Sequence, residues 1–154
     1  MAPSRSPHRI AFLLAQVGAD AAAAFDTAVR ELGITPSEAG LLRLVGRRPG
    51  ISQRVVSQQM GIGPSRVVAV LDRLESDELV QRRRSIEDRR NHEITVTAKG
   101  QDLLARLRTV AERHEQAFVA ALSPDQIQLL GETLTVIAET RELSRELHRG
   151  TSDR

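Results

Sequence analysis

The chain has 154 residues, 22 of them basic and 20 acidic, a formal net charge of +2, and no cysteine. That length suits one ordinary domain with a real core, and the missing cysteine excludes a disulfide framework, a thiol redox switch and thiolate metal ligation. No apolar run is read as approaching the ~18 residues of a membrane span, and Met1 to Ser6 lacks the apolar core of a signal peptide, so a cytoplasmic protein with no membrane partner is expected.

With three Phe and neither Tyr nor Trp, the core must be Leu, Val, Ile and Ala, which favours helix packed on helix. Ser6-Pro7 reads as a helix start, Ser as cap and Pro at the first helical position. Apolar residues then recur at helical spacing from Ile10 through Leu13, Leu14, Val17, Ala21, Ala24, Phe25 and Ala28, and Gly33 ends the helix. About 25 residues at 1.5 Å each span roughly 37 Å, a length typical of an assembly element. Thr35-Pro36-Ser37-Glu38 is a capping box opening a second helix through Leu41, Leu42 and Val45, which stops near Arg48 before Pro49-Gly50. A short strand is expected next.

Ser52 then caps a third helix with Val55, Val56 and Met60 inward. Gly61-Ile62-Gly63 forms a tight turn, and Pro64 begins a fourth helix carrying Val67, Val70, Leu71 and Leu74. The run Val67 to Leu71 also fits a buried strand; Pro64 behind the Gly turn and the spacing of Leu71 and Leu74 decide for helix. Leu79 to Arg83 and His92 to Val96 are expected to pair as a hairpin, with Ser85 to Asn91 at its tip. Ile94 and Val96 alternate with Glu93 and Thr95, the period of a half-buried strand. Thr97 caps a long helix with Leu103, Leu104, Leu107, Val110, Ala111, His114, Ala117, Phe118 and Ala121 on one face. Ser123-Pro124-Asp125-Gln126 is a further capping box, opening a last helix through Ile127, Leu130, Leu134 and Ile137 to about His148.

The order helix, short strand, helix, turn, helix, hairpin describes a winged helix-turn-helix: a mainly α fold with a small β-hairpin. Residues 1–34 and 101–149 supply long N- and C-terminal dimerisation helices, residues 35–100 a DNA-binding lobe, and residues 150–154 a frayed tail. Charge agrees with this division. From Ala39 to Leu71 there is no acidic residue but five arginines, Arg43, Arg47, Arg48, Arg54 and Arg66. Residues 39–100 hold 12 basic and 7 acidic residues, so a basic middle faces a polyanion between acidic flanks. The plainer alternative is a solvated charged surface.

Taken together, these pieces resemble the MarR family of bacterial transcriptional regulators from residue 8 to 147. The likeness is carried by Ser52 to Ile62, by Asp72-Arg73-Leu74 followed by Leu79-Val80-Gln81-Arg82, by Asp88-Arg89-Arg90, by Thr97-Ala98-Lys99-Gly100, and by Leu122-Ser123-Pro124. The chain departs from the family at Ser57, where a small Ala is common, and at Glu78, where Gly is common. A left-handed backbone would cost Glu about 1 kcal/mol, which argues for a differently built turn. Val68 and Ala69 stand where polar or basic side chains are usual.

The fold implies that the fourth helix enters the major groove. Pro64, Ser65 and Arg66 lie nearest the bases, with Arg66 positioned for a guanine edge and Arg73 further along. Val68 and Ala69, if outward, meet thymine methyls; the alternative puts both in the core and Arg66 on phosphate only. Gln53 and Arg54 open the third helix and suit phosphate, or simply solvent. Arg82, Arg83 and Arg84 are expected to line phosphates. The resemblance implies that Arg90 enters the minor groove, braced by Asp88 and with Arg89 beside it; a narrow minor groove attracts Arg. The expected partners are double-stranded DNA and a second copy of the chain, the alternative being a monomer that packs both end helices on its own core. The resemblance also implies a small aromatic or anionic effector, with Phe12, Gln16, Phe25, Arg43 and Leu44 as candidate wall residues, or else as ordinary core.

His8, His92, His114 and His148 show no metal-ligand spacing, and no nucleotide loop, nucleophile elbow or catalytic carboxylate pair is present. The chain therefore reads as a non-enzyme without cofactor: a sequence-specific, ligand-relieved homodimeric repressor on an inverted-repeat operator. The alternatives are a winged-helix module for DNA architecture or protein interaction, without sequence specificity, and a metal-responsive regulator.

Overall fold

A computed structural model describes residues 9–84, 92–141 and 143. Six helices and a three-stranded sheet follow in the order α1 (Ile10–Arg30), α2 (Pro36–Arg47), β1 (Ile51–Ser52), α3 (Gln53–Met60), α4 (Pro64–Ser76), β2 (Val80–Arg84), β3 (His92–Val96), α5 (Ala98–Phe118) and α6 (Pro124–Thr140). The expected Ser6-Pro7 start, the hairpin tip and the tail 150–154 lie outside the described residues; the last helix ends at Thr140, with Arg141 as its C-cap, and does not run on to His148 as expected.

Local signals set most boundaries. Both capping boxes form: the Thr35 amide donates to Glu38 Oε2 at 2.6 Å while Glu38 N–H donates to Thr35 Oγ1 at 3.2 Å, and Ser123 and Gln126 do the same at 2.9 and 3.3 Å. Each satisfies two amides that the first helical turn leaves without a backbone partner. Two other helix ends also fall short of expectation. α1 stops at Arg30, and Gly33, at φ +83°, belongs to the following turn; its amide closes that turn on the Arg30 carbonyl. α5 stops at Phe118, leaving Ala121 in the next turn.

The sheet order is β1-β3-β2, all antiparallel. β3 is central: Ile94 pairs with Ile51 on one side and Arg82 on the other. The core lies where α2, α3 and α4 meet this sheet. Leu41, Leu42, Val45, Val56, Val67, Leu71, Leu74 and Ile94 are fully buried there, and Val29 of α1 joins them. Each such side chain contributes roughly 1.5–3 kcal/mol by leaving water.

The ends of the chain behave differently. α6 carries no buried residue, and residues 10–20 of α1 are all exposed. Ile10, Phe12, Leu13 and Val17 of α1 and Leu129, Leu130, Leu134 and Val136 of α6 thus face solvent in the single chain. One expectation is corrected: Ile10–Arg30 is long and apolar enough to cross a membrane by length and composition. Alanine is the reason, at Ala11, Ala15, Ala19, Ala21 to Ala24 and Ala28. The helix nonetheless holds Asp20 and Asp26, and buries Phe25 and Val29 in the protein core.

The Glu78 turn is not built differently after all. Glu78 has φ +59°, the only positive value on a residue other than glycine among the described residues. Its surroundings hold it there, as such strain requires. Thr97 Oγ1 donates to the Glu78 carbonyl at 2.6 Å, the Thr97 amide to the Leu79 carbonyl at 3.1 Å, and the Leu79 amide to the Leu74 carbonyl at 2.8 Å. Gly100 backs onto the same carbonyl so closely that a Cβ there would overlap the Leu79 oxygen. Gly100→Ala is therefore expected to destabilise the protein by about 1–3 kcal/mol, the cost of overpacking against an immovable backbone. Glu78→Gly should stabilise it by about 1 kcal/mol through relief of the left-handed backbone, since its exposed pair with Lys99 contributes little. Urea unfolding of both variants checks the opposite signs.

Candidate nucleic-acid interface

The helix-turn-helix is fixed by three small devices. Ser52 Oγ accepts from the Val55 amide at 3.4 Å to start α3. Gly61, left-handed at φ +63°, ends it. Ser57 Oγ then donates to the Ile62 carbonyl at 2.6 Å, so this hydroxyl ties α3 to the turn. Pro64 occupies the first position of α4, whose opening turn carries no acidic residue.

α4 is anchored by Val67, Leu71 and Leu74, all fully buried. Helical periodicity turns Ser65, Arg66, Ala69 and Arg73 to the opposite side, and all four are exposed, as is Pro64. Arg73 Nε donates to Asp77 Oδ2 at 3.0 Å along this face. Val68 and Ala69 do not share a fate. Ala69 is exposed, whereas Val68 is half-buried, one and two turns before Asp72 and Glu75 on the same edge. At the start of α3, Arg54 is exposed and Gln53 half-buried. The result is an outward helix surface of Pro64, Ser65, Arg66 and Ala69 with Arg54 on the neighbouring helix, a shape and charge suited to a groove edged with phosphate.

On the wing, Arg83 is exposed and its Nη2 donates to Gln81 Oε1 at 3.2 Å. Arg82 is not presented to solvent in the same way, contrary to the expected phosphate role. Its Nε donates to Glu75 Oε2 at 2.9 Å, and its Nη2 reaches both Glu75 and Asp72. Its amide donates to Glu75 Oε1 at 3.1 Å. The hydrogen bond to Glu75 above all, and that to Asp72 next among the favourable partners, hold the guanidinium above the ordinary arginine pKa against the pull of burial. Sequence reading missed this use of Arg82 because its partners stand seven and ten positions away on another element. The backbone of Arg84 lies at the end of β2, while Asp88, Arg89 and Arg90 fall outside the described residues.

A groove of about 730 Å³ opens between α2 and α5, lined by Arg43, Gly46 and Arg47 on one side and by Leu104, Arg108, Ala111, Glu112 and Glu115 among others on the other. Of the candidate effector residues only Arg43 lines it. Burial, and then the positive charge of Arg47, lower its pKa; an anion in the groove would offset that repulsion. Phe25 and Leu44 are core residues, a correction with a simple cause: their faces of α1 and α2 turn into the lobe. Phe12 and Gln16 are exposed on α1, away from this groove's lining. His114 is half-buried between Phe25 and Phe118, with ring centroids 5.5 and 6.0 Å away, a packing position. The α5 wall was not legible in the sequence because Leu104 and Ala111 read as core-facing and Arg108, Glu112 and Glu115 as a solvated face, and only the packing of α2 beside α5 brings them into one groove.

Comparison with known proteins follows the same geometry. The MarR family model matches residues 32–91. A Thauera aromatica protein described as a regulator for the hcr operon is 35% identical over 91 residues, 59% of this chain and 55% of that protein, so the chain spans little more than half of that relative's length. The HTH-type transcriptional repressor Rv2887 of Mycobacterium tuberculosis is 29% identical over 117 residues, 76% of this chain and 84% of that protein. Its structure in complex with p-aminosalicylic acid matches with a TM-score of 0.69 and 26% identity over 85% of this chain and 99% of that one. The transcriptional repressor CouR, bound to a 23-mer DNA duplex, matches with a TM-score of 0.73 and 32% identity over 83% of this chain and 91% of that one. With the family model over residues 32–91 and the shared fold over 83% of its length, the chain belongs to the MarR family.

Proposed function

We propose that the chain is a sequence-specific transcriptional repressor that binds an inverted-repeat operator as a homodimer and is released by a small aromatic or anionic effector. The observation that carries the DNA reading is the α3–α4 unit. The outward residues of α3 and of the first two turns of α4 are polar, small or cationic, and no acidic side chain stands between Ala39 and Leu71. Arg66 at the head of α4 suits a bidentate contact to guanine O6 and N7. Arg54 and Arg83 suit phosphates, and Arg90 a narrow minor groove.

Dimerisation is supported by the unpartnered apolar residues of α1 and α6. A single chain leaves Phe12 57%, Leu129 64% and Val136 62% exposed, and apolar surfaces of this kind mark protein contacts. Two-fold pairing of such long end helices places two recognition helices about one DNA turn apart. Effector relief is supported by the Arg43–Arg47 groove and by the salicylic acid and p-aminosalicylic acid complexes of Rv2887. The groove joins the lobe to α5, so an occupant that favours one lobe spacing shifts the population towards it.

Two measurements check this reading. Light scattering should give twice the 16.9 kDa chain mass; a mass of one chain would remove the two-fold operator. On a duplex selected by the protein from a random pool, Arg66→Ala should cost about 1–3 kcal/mol and relax preference at one base pair per half-site, whereas Arg83→Ala should weaken binding on all sequences and reduce the salt slope by about 1. Equal affinity of the wild type for selected and scrambled duplexes would instead favour an architectural role.

A further inference from the structure

We propose that Asp72, Glu75 and Arg82 form a brace that sets the angle between the recognition helix and the wing, and that DNA affinity depends on this brace although its side chains are not DNA ligands. The inference rests on the DNA-binding reading above. Its basis is where the three residues stand. Asp72 and Glu75 lie one turn apart on the edge of α4, beside half-buried Val68, while Arg82 is in the middle of β2, paired with Ile94 of the central strand. The short turn through Asp77, Glu78 and Leu79 joins the two elements covalently and apolar packing holds their inner faces; the brace adds a directional polar contact at their outer edge.

Glu75 supplies that contact with both carboxylate oxygens. One accepts the Arg82 backbone amide at 3.1 Å and the other its Nε at 2.9 Å, with Nη2 also in contact. Side chain and main chain of Arg82 are thus held by one carboxylate, and Asp72 adds a second contact to Nη2. Such a forked, charge-assisted network exceeds an ordinary surface pair, and the Arg82 side chain is only 24% exposed. Two carboxylates against one guanidinium leave the group with a net negative charge, an unfavourable arrangement for a phosphate ligand. Arg83 and Arg84 follow directly from this point of β2.

The charge balance provides a test by sign. Removing a negative charge from a DNA-binding protein ordinarily strengthens binding to the polyanion. A brace predicts the reverse. Glu75→Gln should bind the selected duplex about tenfold more weakly, the size of one lost specific contact, despite its more positive charge. Asp72→Asn, at a side chain 54% exposed, should weaken binding in the same direction and serves where Glu75→Gln folds poorly, as thermal unfolding will show. Arg82→Lys keeps the charge but cannot form the fork; it should lose affinity to the same degree with an unchanged salt slope. Equal or tighter binding by the carboxylate variants, or full affinity in Arg82→Lys, would overturn the brace while leaving the DNA reading intact. A wild-type protein that binds no duplex would overturn both.

Discussion

The carbonyl of Leu79 is the point on which the lobe depends. It accepts the Thr97 amide and the Thr97 hydroxyl, and Gly100 passes against it with no room for a side chain. Four elements meet there: the end of α4, the root of β2, the end of β3 and the start of α5. The recognition helix, the wing and the long terminal helix are thereby referred to one fixed position. Glu78 takes a left-handed backbone to make this meeting possible, held by the Thr97 hydroxyl.

From this junction the molecule divides by what each surface lacks. The surface of α3 and the first two turns of α4 lacks acidic side chains, so it can approach a polyanion. Residues 10–20 of α1 and the apolar residues of α6 are exposed among the described residues, so they can approach another apolar surface. α5 belongs to both halves, with Leu103 and Leu107 in the lobe core and its outer residues along the groove below Arg43. Under the proposed effector reading, a ligand in that groove would touch the helix that starts at the Leu79 junction, a mechanical route to the lobe. The route runs through packed side chains and hydrogen bonds, the kind of contact that can switch between two arrangements.

Much of this was legible in the residues because the signals were local. The boxes at Thr35–Glu38 and Ser123–Gln126, the Gly61 turn, Pro64 and the Thr97 cap each involve partners within a few positions, and each forms as expected. The alternation of Ile94 and Val96 disclosed the wing strand, although not its central place between β1 and β2. What the sequence hid were relations between distant positions. Arg82 is one of three consecutive arginines and reads as a phosphate ligand until Glu75 and Asp72 are seen around it. Val68 and Ala69 read alike, but one step along a helix turns 100°, which separates an edge residue from an exposed one. Leu44 and Phe25 suited a ligand wall as well as a core, and only packing could decide. The apolarity of α1 was underestimated because alanines disperse it along the helix.

In the proposed function, two copies of this lobe read DNA together, each with its helix in a major groove. A hydroxyl-radical footprint of the protein on its own selected duplex tests this most directly. The account predicts protection related by a two-fold axis, with half-sites centred about 10 base pairs or a multiple of that apart. A single protected patch without symmetry, or diffuse protection along the whole duplex, would contradict it.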